Sequence, residues 1–210
     1  MKYKYLIFIL LLIITFAIMY CQKCDDKLKV IKVPNFLDGD VCDKIINSNK
    51  TFIESNVLTN GISTKDLVAR SSSTTSFQNG ENMYIDMIKD RVIKMLDIRL
   101  DQLEPVQLSK YDRGQEYKYH YDYFNTEETN ISNQRHYTIL IYLNDVPICD
   151  GGSTDFKFGD SFQPVQGTMV YWSNLDKNMN IDTRTLHCGK PVLNDSVKYI
   201  LTIWTRINSL

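Results

Sequence analysis

A chain of 210 residues has room for one domain of ordinary size with short extensions. Apolar residues make up 43% of it and aromatics 11%, enough to fill a well-packed core. A net charge of −1 and a pI near 6.3 exclude a nucleic-acid binder that works through bulk positive field, so no nucleic-acid partner is expected.

The N-terminus sets the topology. Residues 5–21, "YLIFILLLIITFAIMYC", run 17 positions without a charge. As a helix they span about 25 Å, against a bilayer core of about 30 Å. Lys2 and Lys4 precede the run, and this bias places the tail in the cytoplasm and the remainder across the membrane. A cleavable signal peptide is the competing reading. The apolar stretch is long for one, and no A-x-A-like site follows Ala17. The expectation is a cytoplasmic tail (1–4), a single-pass signal anchor (5–21), and a lumenal, endoplasmic-reticulum-type remainder. Three N-x-S/T sequons, at Asn49, Asn130 and Asn194, agree with a glycoprotein in that compartment. Of five cysteines, Cys21 and Cys24 lie at the membrane edge, where acylation or an interchain bridge is open to them. Cys42, Cys149 and Cys188 allow one internal disulfide, whose pairing the sequence leaves open.

Residues 22–30 read as a polar stalk. "LKVIKVPNFL" reads as a strand ended by Pro34, and "LDGDVCDKIINSN" as a helix with Asp38 or Asp40 near its start. Residues 60–77, rich in Ser and Thr, read as a loop or exposed strand. "NMYIDMIKDRVIKMLDI" repeats apolar residues at three and four, an amphipathic helix resting on a sheet. Together 22–102 form a stalk and an N-terminal α/β support region. From 103 to 207 the rhythm is of short strands: 106–112, 117–124, 136–143, 153–158, 168–173, 183–187 and 197–206. "DRG", "NTEETNISN", "CDGG", "VQG", "NLDKN" and "LND" separate them. The fold class is α+β, a sandwich or jelly-roll barrel supported by N-terminal helices and preceded by one transmembrane helix.

The second of these runs, 117–124, is "YKYHYDYF". On a strand, His120 and Asp122 point the same way, so an imidazole and a carboxylate share one space. A third ligand must come from another strand, and the other histidines are His136 and His187. Two histidines and one carboxylate on one side of an iron are the arrangement of non-haem Fe(II) oxygenases. H-x-D by itself is unspecific. A zinc or manganese jelly-roll protein of the cupin type is a further option, although it calls for more histidines than this chain has. "GGSTDF" is a turn into a strand and not a nucleophile elbow.

Four segments in order, "YDRGQEYKYHYDYF", "HYTILIYLNDVPICDGGSTDF", "PVQGTMVYWSN" and "TLHCGKPVLNDSVKYILTIWTR", resemble the prolyl 4-hydroxylase family of Fe(II)- and 2-oxoglutarate-dependent dioxygenases. The likeness runs over residues 103–207, with a weaker extension to "VARSSSTTSF". It implies a double-stranded β-helix (jelly-roll) core. It also implies an activity of the procollagen-proline 4-dioxygenase kind: hydroxylation of peptidyl proline with O2 and 2-oxoglutarate, releasing succinate and CO2. It implies Fe(II) held by His120, Asp122 and His187, 2-oxoglutarate as cosubstrate and L-ascorbate as the reductant. Lys198 takes the place of the lysine that binds the far carboxylate of 2-oxoglutarate. Tyr111 and Thr138 match hydroxyls that help to hold it, and Trp204 an aromatic lining its pocket. Arg70, Ser72, Glu104 and Tyr117 match positions beside a groove for a proline-containing peptide or collagen-like protein. His136 is expected to serve packing or surface and not iron.

Lys198, Ile200, Thr202 and Trp204 share one face of the last strand, while Tyr199, Leu201 and Ile203 share the other. By itself the first face is either a cosubstrate pocket or a wet surface, and the resemblance favours the pocket. Three features depart from the family: an extra residue in "NDS" before Lys198, a longer "VPICDGG" turn, and Arg206 where a histidine is common. They bear on substrate choice more than on chemistry. A hydroxylase of another residue such as lysine, and a catalytically silent peptide-binding module, are the alternatives. Lysyl hydroxylases typically place an arginine where this chain has Lys198, and the intact set of His120, Asp122, His187 and Lys198 argues against a silent module.

Overall fold

The computed structural model describes Ile13 and residues 27–48, 51–59, 62–124 and 133–210. The expected anchor at 5–21, apart from Ile13, lies outside the described residues, as do Cys21, Cys24 and the sequon asparagines Asn49 and Asn130. Among the described residues, no helix is long and apolar enough to cross a membrane.

Two antiparallel sheets face one another in a jelly-roll arrangement. The larger has seven strands: β1 (Ile31–Val33), β2 (Ile53–Glu54), β5 (Ser73–Phe77), β6 (Val106–Tyr111), β8 (Arg135–Tyr142), β11 (Met169–Ser173) and β13 (Lys198–Arg206). They lie in the order β1-β11-β8-β13-β6-β5-β2. The smaller has four: β7 (Tyr117–His120), β9 (Thr154–Phe156), β10 (Ser161–Phe162) and β12 (His187–Gly189), in the order β10-β9-β12-β7. A separate hairpin joins β3 (Val57–Thr59) to β4 (Ile62–Thr64). The helices α1 (Gly39–Ile46) and α2 (Met83–Leu96) cover the outer face of the larger sheet.

The central strands are buried on both faces, and their alternation sorts side chains into two cores. Ile139, Ile141, Leu201 and Ile203 pack outward against Ile45, Ile85, Ile88 and Val92 of the helices. Leu140, Tyr142, Val170, Trp172 and Ile200 point inward, between the sheets. Full burial of each such aliphatic side chain contributes about 1.5–3 kcal/mol, so the helical layer is held by apolar area more than by helix propensity. Helix α2 also begins cleanly: the Asn82 side chain accepts from the amides of Tyr84 (2.9 Å) and Ile85 (3.3 Å). It ends at Asp97, whose φ of 51° is left-handed.

Helix α1 meets the sheet where Leu37 N donates to Gly167 O at 3.0 Å. Gly167 has φ +74°, and a Cβ there would lie 2.1 Å from Leu37 O, so only glycine lets the two backbones approach.

Four sequence expectations change. The strand expected over 117–124 ends at His120, and Asp122 lies in the bend that follows. The strand expected over 183–187 is a 3-10 turn at Thr183–Thr185, and β12 starts only at His187. Here the Asp182 carboxylate accepts from Arg184 N at 2.9 Å and the Asp182 carbonyl from Thr185 Oγ1 at 2.7 Å, bonds that favour a tight turn over a ladder. Within 60–77, Ser73–Phe77 is not peripheral: it pairs with both β2 and β6 inside the larger sheet. Its Ser/Thr hydroxyls find buried partners, which is why a polar run can sit there. Finally, Cys42, Cys149 and Cys188 are all free thiols, so no internal disulfide joins them. Cys42 and Cys188 are buried whereas Cys149 is exposed.

Candidate metal centre

His120, Asp122 and His187 converge on one point. His120 ends β7 and His187 opens β12, and the two are direct cross-strand partners in the smaller sheet. Asp122 reaches the same point from the bend after β7. The Nε2 of His120 lies 3.7 Å from Asp122 Oδ1, and that of His187 lies 3.6 Å from Asp122 Oδ2. One ligand atom from each residue lies within 4.8 Å of the others, and among the described residues these three form the one such cluster. The convergence expected from same-face strand geometry is therefore made by a bend instead. His136 is not part of it; its ring stacks on Tyr137 with centroids 4.0 Å apart.

Backbone carbonyls fix both tautomers. Nδ1 of His120 lies 2.8 Å from Lys118 O, and Nδ1 of His187 lies 2.8 Å from Thr185 O. A carbonyl only accepts, so both Nδ1 atoms carry a proton, and both Nε2 atoms are turned to the carboxylate. Two imidazole nitrogens and a carboxylate oxygen brought to one point suit a cation. Burial pushes His120 down to about 3, with His187 beside it adding to the effect, so its imidazole is neutral near pH 7. Burial raises the pKa of Asp122, but His187, His120, Arg135 and the Thr138 hydroxyl together hold it below the usual carboxylate value. The donor set of two imidazoles and a carboxylate fits Fe(II).

The elements around it hold this geometry. Thr138 Oγ1 donates to Asp122 Oδ2 at 2.8 Å, Asn174 Nδ2 to Thr138 Oγ1 at 2.9 Å, and Trp172 Nε1 to Asn174 Oδ1 at 3.2 Å. Trp172 also packs edge-on against the His187 ring, with centroids 4.8 Å apart. The Arg135 guanidinium donates to the Asp122 carbonyl at 3.2 Å and lies 3.8 Å from the Trp204 ring centroid. Tyr117 stacks on His120 at 3.4 Å.

The pocket above the cluster is lined by the face of β13 that carries Lys198, Ile200, Thr202 and Trp204. Cross-strand register sets Lys198 opposite Tyr111 and Trp204 opposite Thr138, so all four residues assigned to the cosubstrate share this pocket. Lys198 is 1% exposed, and no carboxylate lies within ion-pair distance of it among the described residues. Its ammonium lies 5.3 Å from the Tyr111 ring centroid and 5.8 Å from that of Tyr142. Burial lowers its pKa to about 7. A buried cation without a counter-ion is costly unless an anion joins it. The indole Nε1 of Trp204 is likewise buried and unpartnered among the described residues. A dicarboxylate cosubstrate fits such a pocket.

Of the residues assigned to the peptide groove, Arg70 and Tyr117 line the pocket, and the Arg70 guanidinium lies 4.9 Å from the Tyr117 ring centroid. Ser72 is fully buried and accepts from Arg70 Nε at 3.0 Å. Glu104 lies between two arginines, accepting from Arg135 at 2.8 and 2.7 Å and from Arg206. Burial raises its pKa, but the two guanidiniums more than offset that and leave it lowered. Sequence reasoning missed Arg135, Asn174 and Trp172. Arg135 announces itself only as the first residue of a strand, and Asn174 only as the polar end of "VYWSN".

A jelly roll with two histidines and a carboxylate at its mouth and a buried lysine deeper in the pocket defines the non-haem Fe(II), 2-oxoglutarate-dependent oxygenase class. Comparison with known proteins agrees: the model of the 2OG-Fe(II) oxygenase superfamily matches residues 106–206. Prolyl 4-hydroxylase 5 of Arabidopsis thaliana is 30% identical over 83% of this chain and 67% of its own length. Probable prolyl 4-hydroxylase 3 of the same plant is 31% identical over 82% and 67%. Among solved structures, the 2OG complex of a viral collagen prolyl hydroxylase from Paramecium Bursaria Chlorella virus-1 aligns with a TM-score of 0.71 and 29% identity. That alignment covers 87% of this chain and 98% of the viral one. The chain belongs to the prolyl 4-hydroxylase family of 2OG-Fe(II) oxygenases.

Proposed function

We propose that the protein hydroxylates peptidyl proline at C4, consuming O2 and 2-oxoglutarate and releasing succinate and CO2. The observation that carries this is the pairing, in one pocket, of the His120/Asp122/His187 donor set with the buried, anion-less Lys198. The prolyl 4-hydroxylase relatives supply the choice of proline.

In this reading His120, Asp122 and His187 hold Fe(II), which with 2-oxoglutarate supplies the oxidising power to place one oxygen atom of O2 into a C–H bond. Lys198 pairs with the distal carboxylate of 2-oxoglutarate, and Tyr111 lies beside it. Thr138 acts by holding Asp122, to which its hydroxyl is committed. Leu140, Ile200 and Trp172 form apolar walls that keep water from the reacting centre. Trp204, Arg70 and Tyr117 line the opening to which a proline-containing or collagen-like peptide would come, with Ser72 and Glu104 behind them. Ascorbate is the reductant we assign to keep the iron ferrous. We also assign residues 5–21 as the membrane anchor, on sequence alone, with the catalytic domain lumenal.

Mass spectrometry of Gly-x-Pro and proline-rich peptides incubated with the full-length protein, Fe(II), 2-oxoglutarate and ascorbate tests the reading. Gain of one oxygen on proline, lost in His187→Ala, is expected. Succinate formed with no modified proline in any peptide would move the assignment to another residue.

A further inference from the structure

Two turns meet at the start of β13, and one carboxylate joins them. The first is the connection from Asn144 to Gly152, which contains the 3-10 turn Ile148–Asp150. The second is the segment from Pro191 to Val197, which leads into Lys198. We infer that Asp150 is a positioning residue for Lys198: it holds the turn that sets where the buried ammonium lies in the cosubstrate pocket. The inference rests on the reading of Lys198 as the partner of the 2-oxoglutarate distal carboxylate.

The contacts are specific. Asp150 Oδ1 accepts from Asn194 Nδ2 at 2.6 Å, and Asp150 Oδ2 accepts from Ser196 Oγ at 2.5 Å. The backbone carbonyl of Asp150 accepts from Leu193 N at 2.7 Å, and Gly152 N donates to Pro191 O at 2.9 Å. These hydrogen bonds from Ser196 and Asn194 hold the Asp150 carboxyl below its ordinary value, so it is ionised and acts only as an acceptor. Asn194 itself has a left-handed φ of 53°, a conformation that needs local fixing in a non-glycine residue.

The same connection reaches the lysine directly. Asn144 Nδ2 donates to Val197 O at 2.7 Å, and Asn144 Oδ1 accepts from Tyr199 N at 2.7 Å, so one amide spans the residues on either side of Lys198. Gly151 and Gly152 bring the two backbones together: a Cβ on Gly151 would lie 2.5 Å from Pro191 O, and one on Gly152 3.7 Å from Lys198 Cδ. The lysine stem therefore rests over Gly152, two residues on from Asp150. The two turns meet at Asp150, and the strand that follows them starts with Lys198 opposite Tyr111, in register with the pocket.

A charged group that must meet a carboxylate loses affinity when its backbone wanders, because the ordering is then paid for on binding. Asp150 is half-buried and belongs neither to the cluster nor to the pocket lining, so its removal should act on the placement of the lysine and not on the metal point. The test is calorimetric titration of the Mn(II)-loaded full-length protein with 2-oxoglutarate, alongside a separate Mn(II) titration. Asp150→Ala is expected to weaken 2-oxoglutarate about tenfold while Mn(II) affinity holds. Asp150→Asn, which keeps one acceptor oxygen, should recover part of the loss. Ser196→Ala, which removes a single bond, should cost less and serves if Asp150→Ala fails to fold. Wild-type affinity for 2-oxoglutarate in Asp150→Ala, or in Ser196→Ala where that variant has to stand in, overturns the inference. A parallel fall in Mn(II) affinity does so too, because it marks a general structural role. A wild-type protein that binds Mn(II) but no 2-oxoglutarate overturns the reading of Lys198 itself, and the inference with it.

Discussion

Thr138 donates its hydroxyl proton to Asp122 Oδ2 across 2.8 Å, and that carboxylate reaches the metal point from a bend and not from a strand. A ligand on a bend is held by fewer ladder bonds than the two strand-borne histidines, so its orientation depends on such side-chain contacts. Thr138→Val keeps the shape and removes the donor. It should lower Mn(II) and Fe(II) affinity by about ten- to a hundredfold. Asn174→Ala, one bond further out, should do the same more weakly. Metal titration followed by electron paramagnetic resonance of free Mn(II) measures both. Unchanged metal affinity in Thr138→Val would mean that Arg135, through its 3.2 Å bond to the Asp122 carbonyl, suffices to hold the bend.

Glu104 carries two arginines at once, with side-chain exposure of 12% against 15% for each partner. Removing its charge leaves two largely buried guanidiniums with no carboxylate between them, a loss of about 3 kcal/mol for a pair of this burial. Glu104→Gln should therefore be markedly less stable to urea at pH 7. The carboxyl is held below its ordinary value of 4.5, so its contribution is present above the unfolded-state pKa and is lost as pH falls below it. The difference between wild type and Glu104→Gln should accordingly shrink as unfolding is measured at progressively more acid pH. A difference independent of pH would assign the effect to packing.

His136 tests the ligand assignment from the other side. Its backbone carbonyl accepts from Asn174 N at 2.7 Å, while its ring lies on Tyr137 and outside the cluster. His136→Ala should bind one Mn(II) with wild-type affinity, and His187→Ala should bind none in the same titration. Loss of metal in His136→Ala, with circular dichroism unchanged, would refute the ligand set.

What could be read from the sequence follows from what periodicity records. The alternation of "KYILTIW" divides β13 into the pocket face of Lys198, Ile200, Thr202 and Trp204 and the core face of Leu201 and Ile203, and the structure keeps that division. Apolar alternation is set by burial, and burial is uniform along a central strand. It fails where the interior is polar. Ser73–Phe77 resembles a loop in composition, yet Thr74 sits beside Arg70 and Ser109 in a buried hydroxyl cluster. Asp122 meets the two histidines as same-face geometry predicts, but from a bend, since no pattern marks where a strand gives way to one. The partners Arg135, Asn174 and Asp150 act through register and turn contacts between segments distant in sequence, and a single chain of letters carries no record of those.

Lys198 offers the prediction that separates chemistry from architecture. The cations that flank Lys198 in the sequence are otherwise engaged: Arg206 is bonded to Glu104, and Lys190 is half-exposed, 3.8 Å from Asp155. Lys198→Ala should therefore weaken 2-oxoglutarate by two to three decades, corresponding to about 3–5 kcal/mol for one half of a buried pair, and leave metal affinity in place. Lys198→Arg should recover only part of this, because the planar fork needs more width than the point charge it replaces. The pH dependence is the sharper signature. Burial lowers the free ammonium to about 7, and a bound carboxylate favours the charged form and raises it again. Below pH 7 the lysine is already protonated, so affinity is at its plateau and binding takes up almost no proton. Above pH 7 the neutral amine must gain a proton when the dicarboxylate arrives, so affinity falls as pH rises, by up to about tenfold per unit. Calorimetry at pH 6 and pH 8 in buffers of different ionisation enthalpy measures the uptake directly. An uptake approaching one proton at pH 8 and near zero at pH 6, abolished in Lys198→Arg, is the expected result. Equal uptake at both pH values would show that a group other than Lys198 meets the cosubstrate.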